Sequence, residues 1–174
     1  MSVLQSLMSD CLRNARDVAA AFGLTEEEVL KLSEVAQRYP ICITPYYFSL
    51  IDLDDPKDPI RKMCLPDIME YSEEGEEDTS GEAGNTVIPG MQHKYDKTAL
   101  ILSTNQCAMY CRHCFRKRLV GLSDAELNKQ VDAAAAYVRS HPEINNVLVS
   151  GGDALMNPNH IVRRYLDRKS TRLN

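Results

Sequence analysis

Apolar residues recur at helical spacing from Leu4 to Phe22, and Gly23 ends the pattern, which predicts one helix. A second is predicted at once: Thr25 is placed as N-cap with Glu28 three residues on, a capping box, while Leu24 and Val29 suit a hydrophobic staple across it. That helix should run to about Arg38. Pro40, Pro45, Pro56, Pro59 and Pro66 then punctuate an extended stretch, and Pro45 within ICITPYYFSLID excludes an undisturbed central strand, so the segment reads as irregular wrapping chain. Thr98 to Ser103 (TALILS) is a short apolar run suited to a strand buried on both faces of a parallel sheet. Ser123 and Glu126 form a second capping-box pattern, with Leu122 and Leu127 as its staple, ahead of an alanine-rich helix reaching about Ser140 and closed by His141-Pro142. Asn146 to Ser150 (NVLVS) is a second strand of buried type, Gly151-Gly152 a sharp turn, and a further helix is predicted from Asn159. Strand, helix, strand, helix is an α/β order of parallel type, in which site loops sit at the carboxyl ends of the strands.

Composition adds bounds. At 174 residues, 44% hydrophobic and 26% charged, the chain suits a soluble domain with its own core. No apolar run approaches the length of a membrane span, and MSVLQSLMSDCLRNARD lacks the features of an export signal, so a cytoplasmic location is expected. The net charge of −5 conceals a block, Asp67 to Glu82, with eight acidic residues and no basic one. The block reads as a solvated loop, and the rest of the chain is mildly basic.

Six cysteines in a reducing compartment point to metal or redox chemistry before disulfides. Cys11, Cys42 and Cys64 stand alone and read as small buried hydrophobes. Cys107, Cys111 and Cys114 fall within CAMYCRHC and offer three thiolates to one site. Structural zinc wants four ligands, so zinc here would need His113, His93 or a distant residue. A 4Fe–4S cluster held by three cysteines leaves one iron open to an external ligand. Arg112, Arg116, Lys117 and Arg118 raise a further alternative, a basic patch for nucleic acid, though the run lacks interleaved stacking aromatics.

Four motifs in order carry a resemblance: ITPYYFSL at 43–50, VIPGMQHKY at 87–95, TNQCAMYCRHCFRKR at 104–118 and SGGDAL at 150–155. Together they resemble the lysine 2,3-aminomutase family of radical S-adenosylmethionine (SAM) enzymes, over about residues 40–167. The resemblance implies the beginning of a radical SAM (β/α) partial barrel, incomplete in this chain. It divides the sequence into an N-terminal helical and extended segment with the acidic loop (1–92), the first two strand–helix units of the barrel (93–167), and a tail (168–174) expected to be non-native because RKSTRLN departs from the family pattern. It assigns Cys107, Cys111 and Cys114 to a 4Fe–4S cluster, and His113, Ser150, Gly151, Gly152 and Asp153 to SAM. It gives Arg116 to the substrate carboxylate, and Lys94 and Tyr95 to pyridoxal 5′-phosphate (PLP), with Lys94 where arginine is usual.

The implied reaction is migration of an amino group from C2 to C3 of an amino acid held on PLP, L-lysine to β-lysine in the first instance, started by a SAM-derived radical. Phe115 departs from the small polar residue usual after the third cysteine. Glutamate as substrate, or β-lysine supply for elongation factor P modification, therefore stays open beside a zinc-stabilised nucleic-acid-binding module and a non-catalytic remnant. The resemblance places the PLP lysine and the carboxylates for the substrate amino group beyond residue 174, so this chain is expected to be a truncated form unable to complete catalysis, with an apolar sheet edge and face uncovered. An electron donor such as flavodoxin or ferredoxin and homo-oligomerisation are implied for the whole enzyme, with no membrane and no nucleic-acid partner.

Overall fold

Helix α1 (Ala15–Phe22) starts where Asn14 accepts a hydrogen bond from the backbone N–H of Asp17, and it stops at Gly23, whose φ of 67° is the left-handed conformation that glycine adopts without strain. The computed structural model describes residues 8–72 and 75–170. The expected helix from Leu4 is interrupted: Asp10 to Asn14 are not helical, and Leu12 instead makes a two-way backbone bridge with Ile43. Leu4 to Leu7 lie outside the described residues. Helix α2 (Glu26–Arg38) has the capping box expected of it, with the Glu28 carboxylate accepting from the Thr25 backbone N–H at 2.7 Å.

The proline-rich stretch is more regular than expected. Pro45 and Pro59 each occupy the first turn of a short helix, α3 (Pro45–Ser49) and α4 (Pro59–Cys64), capped by Thr44 and Asp58. A proline there loses no helical hydrogen bond and arrives with φ already set, so the residues that exclude a strand here start helices.

The chain divides into two units, Met1–Glu77 with Ala108–Val120, and Asp78–Cys107 with Gly121–Asn174. In the first, Val18, Leu32, Ile41, Ile43, Cys64 and Met109 form the buried core. The three isolated cysteines belong here and are buried as expected: Cys11, Cys42 and Cys64 are 8%, 1% and 1% exposed.

In the second unit, α5 (Glu82–Asn85) leads into β1 (Thr86–Ile88), β2 (Met91–Tyr95) and β3 (Thr98–Leu102). Helices α6 (Ala125–Lys129) and α7 (Val131–Ser140) precede β4 (Asn146–Ser150), and α8 (Asn159–Ser170) follows it. The sheet order is β1-β2-β3-β4, with β1/β2 and β2/β3 antiparallel and β3/β4 parallel, in register from Thr98↔Asn146 to Leu102↔Ser150. The sheet is therefore mixed, not purely parallel, because VIPGMQHKY folds as a hairpin around Pro89-Gly90. Met91, Ala99, Ala134, Val138, Ile144 and Val147 form its core. Leu148 stays 51% exposed, so this edge strand is not buried on both faces as expected. Nor is the alanine-rich helix continuous. It breaks at Gln130, and the second capping box does not form: Ser123 accepts from the N–H of Ala125 while Glu126 turns to Gln130 and Lys129.

No helix among the described residues is long and apolar enough to cross a membrane.

Candidate functional site

In the second unit, parallel pairing brings the ends of β3 and β4 out of the sheet side by side, and their loops stay joined beyond it. Ser103 donates to the Ser150 carbonyl from both its backbone N–H (2.8 Å) and its hydroxyl (2.9 Å). The N–H of Gly152 then donates to the carbonyl of Thr104 (2.7 Å), and that of Asp153 to the carbonyl of Gln106 (2.8 Å). This approach requires the two glycines. A Cβ on Gly151, at φ 135°, would lie 2.2 Å from the Thr104 carbonyl oxygen, and one on Gly152 would lie 2.3 Å from that of Gln106 and 2.9 Å from the Sγ of Cys107. The expected SAM segment, Ser150 to Asp153, is thus packed against the loop that delivers the first expected cluster cysteine.

Two polar residues fix that loop. Asp124, directly before α6, accepts from the Thr104 hydroxyl and the Asn105 N–H, each at 2.6 Å. Asn157 is buried and donates to both the carbonyl and the hydroxyl oxygens of Ser103. The Asp153 side chain caps the turn after it by accepting from the N–H of Leu155.

The PLP candidates lie on β2. Lys94 donates to the Ser80 carbonyl at 3.3 Å and stands 5.9 Å from the ring centre of Tyr95, which is 66% exposed. His93 has both ring nitrogens engaged: Nε2 faces the Asp96 carbonyl, which can only accept, so Nδ1 accepts from the Tyr137 hydroxyl. It is held for packing against Tyr137 and His141 and is not presented as a zinc ligand.

Cys111 and Cys114 fall in the first unit, on a segment threaded through its core. The N–H groups of Tyr110 and Arg112 donate to the carbonyls of Cys42 and Met63, and Met109 is buried in the core. ICIT is therefore the backbone partner of the cysteine segment. From Cys111 onward the chain turns in steps of three, Cys114 N–H to the Cys111 carbonyl and Lys117 N–H to the Cys114 carbonyl. Burial pushes the Cys111 thiol above its usual range, and the neighbouring Cys114 adds to this.

The basic run does not form a solvated patch. Arg112 is 8% exposed, and its guanidinium forks onto Glu70, Nε to Oε1 at 3.0 Å and Nη2 to Oε2 at 2.7 Å, while Nη1 donates to the Pro40 carbonyl. Lys117 pairs with the same carboxylate and lies 4.2 Å from the ring centre of Tyr39. Arg118 donates to the carbonyls of Glu77 and Phe115. Arg116 is 9% exposed, its guanidinium 4.6 Å from the ring centre of Phe115, while His113 is exposed.

Nor is the acidic block a free loop. Burial would raise the Glu70 carboxyl, but hydrogen bonds from Arg112, Lys117 and the Asp67 N–H outweigh it and hold the group below the ordinary range. In the same unit Glu77 accepts from Arg38 and Tyr39. In the second unit Glu82 is buried and accepts from Gln92, while Asp78 accepts from the N–H groups of Glu82 and Ala83. Glu73 and Glu74 lie outside the described residues. Residue typing missed Glu70 and Asp124; the available signal was the Asp67-x-x-Glu70 spacing, which forms a capping box around the turn Ile68–Tyr71.

No disulfide ties Cys107, Cys111 or Cys114, and all three are only partly buried, unlike the other three. As donors they fit a group bound through thiolates. Among the described residues no three His, Cys, Asp or Glu side chains are already gathered as a metal site.

Curated relatives agree with the motifs. An L-lysine 2,3-aminomutase of Acetoanaerobium sticklandii is 43% identical over 136 residues, 76% of this chain and 33% of the relative. That match extends across most of the chain. The chain belongs to the lysine 2,3-aminomutase family. The L-lysine 2,3-aminomutase of Bacillus subtilis is 38% identical over 162 residues, 91% of this chain and 34% of the relative. A glutamate 2,3-aminomutase of Clostridioides difficile is 36% identical over 150 residues, 85% of this chain and 36% of the relative. This member of the family thus spans about a third of the length of the curated relatives it matches. No family model matches the chain.

Proposed function

We propose that this lysine 2,3-aminomutase homologue is the cluster- and SAM-binding region of a radical SAM amino acid 2,3-aminomutase, with L-lysine as substrate and β-lysine as product. The observation that carries this reading is the fit of Gly151 and Gly152 against the loop ending in Cys107, where any side chain on Gly152 would meet the Cys107 sulfur. Two motifs far apart in sequence, one expected at a cluster and the other at SAM, are adjacent for a steric reason.

In this reading Cys107, Cys111 and Cys114 hold a 4Fe–4S cluster, and Ser150 to Asp153 offer backbone and carboxylate groups to the SAM amino group. When bound, the cluster and SAM supply the one-electron chemistry that starts hydrogen abstraction from the substrate. The chain's own residues bind and orient. Arg116, its guanidinium set over Phe115, meets the substrate carboxylate in a planar fork, and His113 lies beside the SAM adenine. Lys94 meets the PLP phosphate as a point charge next to Tyr95. The β3–β4 pair is read as the start of a (β/α) barrel whose site lies at the carboxyl ends of its strands.

Anaerobic reconstitution with iron and sulfide tests the reading. A brown protein with about four irons per chain, and an electron paramagnetic resonance signal that changes on adding SAM, is the expected result. A colourless protein with one tightly bound zinc overturns it. Glutamate is the second substrate reading, favoured by the similarity to a glutamate 2,3-aminomutase. Turnover assays of the enzyme containing this region, with each amino acid, separate the two.

A further inference from the structure

We infer that Glu70 is a positioning residue for the cysteine segment: a single carboxylate that clamps the chain on both sides of Cys114. The inference rests on the proposed cluster at these cysteines for its purpose, but its geometry lies wholly within the first unit.

Glu70 accepts from Arg112 through two parallel bonds and from Lys117 through a third. Arg112 stands between Cys111 and Cys114, and Lys117 stands three residues beyond Cys114. The two backbone turns between these residues, Cys114 to Cys111 and Lys117 to Cys114, are the span that the carboxylate bridges. Glu70 is itself fixed, since its Oε1 also accepts from the Asp67 N–H at 2.9 Å in the capping box around the turn Ile68–Tyr71. This local bond helps to fix the orientation of the carboxylate that both cations meet. Arg112 is anchored independently, through its backbone N–H to the Met63 carbonyl and through Nη1 to the Pro40 carbonyl. The segment is thus pinned at Arg112 by Met63, Pro40, Tyr39 and Glu70, and at Lys117 by Glu70 and the Tyr39 ring, and Glu70 is the carboxylate that meets both cations.

Chemistry accounts for the arrangement. Met109, Tyr110 and Val120 anchor the ends of the segment by burial, while the stretch from Cys111 to Lys117 between them joins no sheet and takes its order from short turns and from these charged bonds. Side chains of the pair Arg112 and Glu70 are 6% and 10% exposed, where charge-assisted bonds are little screened and loss of one partner strands the other.

Hydrogen–deuterium exchange of the purified, metal-free chain tests the clamp. In Glu70→Gln the peptide Ala108–Val120 should exchange at least about tenfold faster than in wild type, while α2 of the same unit keeps its wild-type rate. Glu70→Asp should recover part of the protection. Glu77→Gln, in the same acidic block, should leave Ala108–Val120 unchanged. Equal exchange of Ala108–Val120 in wild type and Glu70→Gln overturns the inference, as does equal acceleration in Glu77→Gln. Should α2 accelerate together with Ala108–Val120 in Glu70→Gln, the unit has unfolded and Lys117→Gln decides, because it keeps the Arg112 fork: faster exchange confined to Ala108–Val120 supports the clamp, and none overturns it. After anaerobic reconstitution and desalting, Glu70→Gln should retain less than about half the iron of Glu77→Gln. If wild type retains no iron, the cluster reading fails, while the exchange result on the metal-free chain still decides the clamp.

Discussion

The carboxylate of Asp124 holds the hydroxyl of Thr104 at 2.6 Å, joining the residue that leads into α6 to the loop that leaves β3. The same carboxylate accepts from the Asn105 N–H, so one side chain satisfies a hydroxyl and a backbone donor just past the end of β3. Asp124→Ala should destabilise the second unit by about 3 kcal/mol, since hydrogen bonds to a charged group are worth more than neutral ones and here two are lost together. Urea unfolding of both forms measures it, and Asp124→Asn, which keeps one acceptor oxygen, should lose less.

Gly152→Ala should be costly for a different reason. Its Cβ would meet the Gln106 carbonyl oxygen at 2.3 Å, a backbone atom that yields only if the loop moves. A loss of about 1–3 kcal/mol is expected, with reduced iron retention because Cys107 lies on the displaced loop. Gly84→Ala, inside α5 where an added Cβ meets nothing within 4 Å, is the control and should be no less stable than wild type and retain iron equally.

Acid should weaken the first unit through Glu70. Its carboxyl is held below the ordinary range in the folded chain, so it contributes stability above the unfolded-state value, lost as pH falls through the folded one. Chemical unfolding from pH 7 down to pH 3 should show that decline in wild type. Glu70→Gln should flatten it while lowering stability at pH 7 by about 3 kcal/mol, because Arg112 is left buried with its fork unmatched.

The cysteines should separate by reactivity. Burial pushes the Cys64 thiol up to about 11. At pH 8 its thiolate fraction is on the order of one in a thousand, so it resists iodoacetamide. Cys42, equally buried, should also be protected, whereas Cys107 and Cys114 should be alkylated in the native protein. Peptide mass spectrometry after timed labelling gives the order directly, and labelling of Cys64 at the rate of Cys114 would contradict the burial described.

Local signals were legible where short-range chemistry decides the structure. Thr25 and Glu28 satisfy each other within one turn, and Gly23 ends α1 because little else takes its backbone angle, so both could be read without knowing any distant contact. The motifs around the cysteines were legible through family likeness, and the isolated cysteines through their lack of neighbours. What failed depended on distant partners. Ser123 and Glu126 have the spacing of a capping box, yet Asp124 is the residue that leads into α6, its carboxylate engaged by Thr104 and Asn105 twenty residues back in sequence. Met91 to Tyr95 was missed as a strand because its polar residues give little alternation, although Met91 is fully buried. The acidic block looked solvated because charge density says nothing of Arg112, which reaches Glu70 across 42 positions.

The register of β3 and β4 sets a rule for how this sequence can change in length. Residues Gly121 to Asn145 form the helical part of the connection that returns to β4, so insertions at their exposed turns only lengthen an excursion that the ladder closes again. A single insertion between Leu102 and Cys107, or between Ser150 and Asp153, would instead slide one loop past the other and put a different residue opposite each glycine. Lineages of this chain should therefore vary in length on the helical side of the sheet while those two short stretches keep a fixed count.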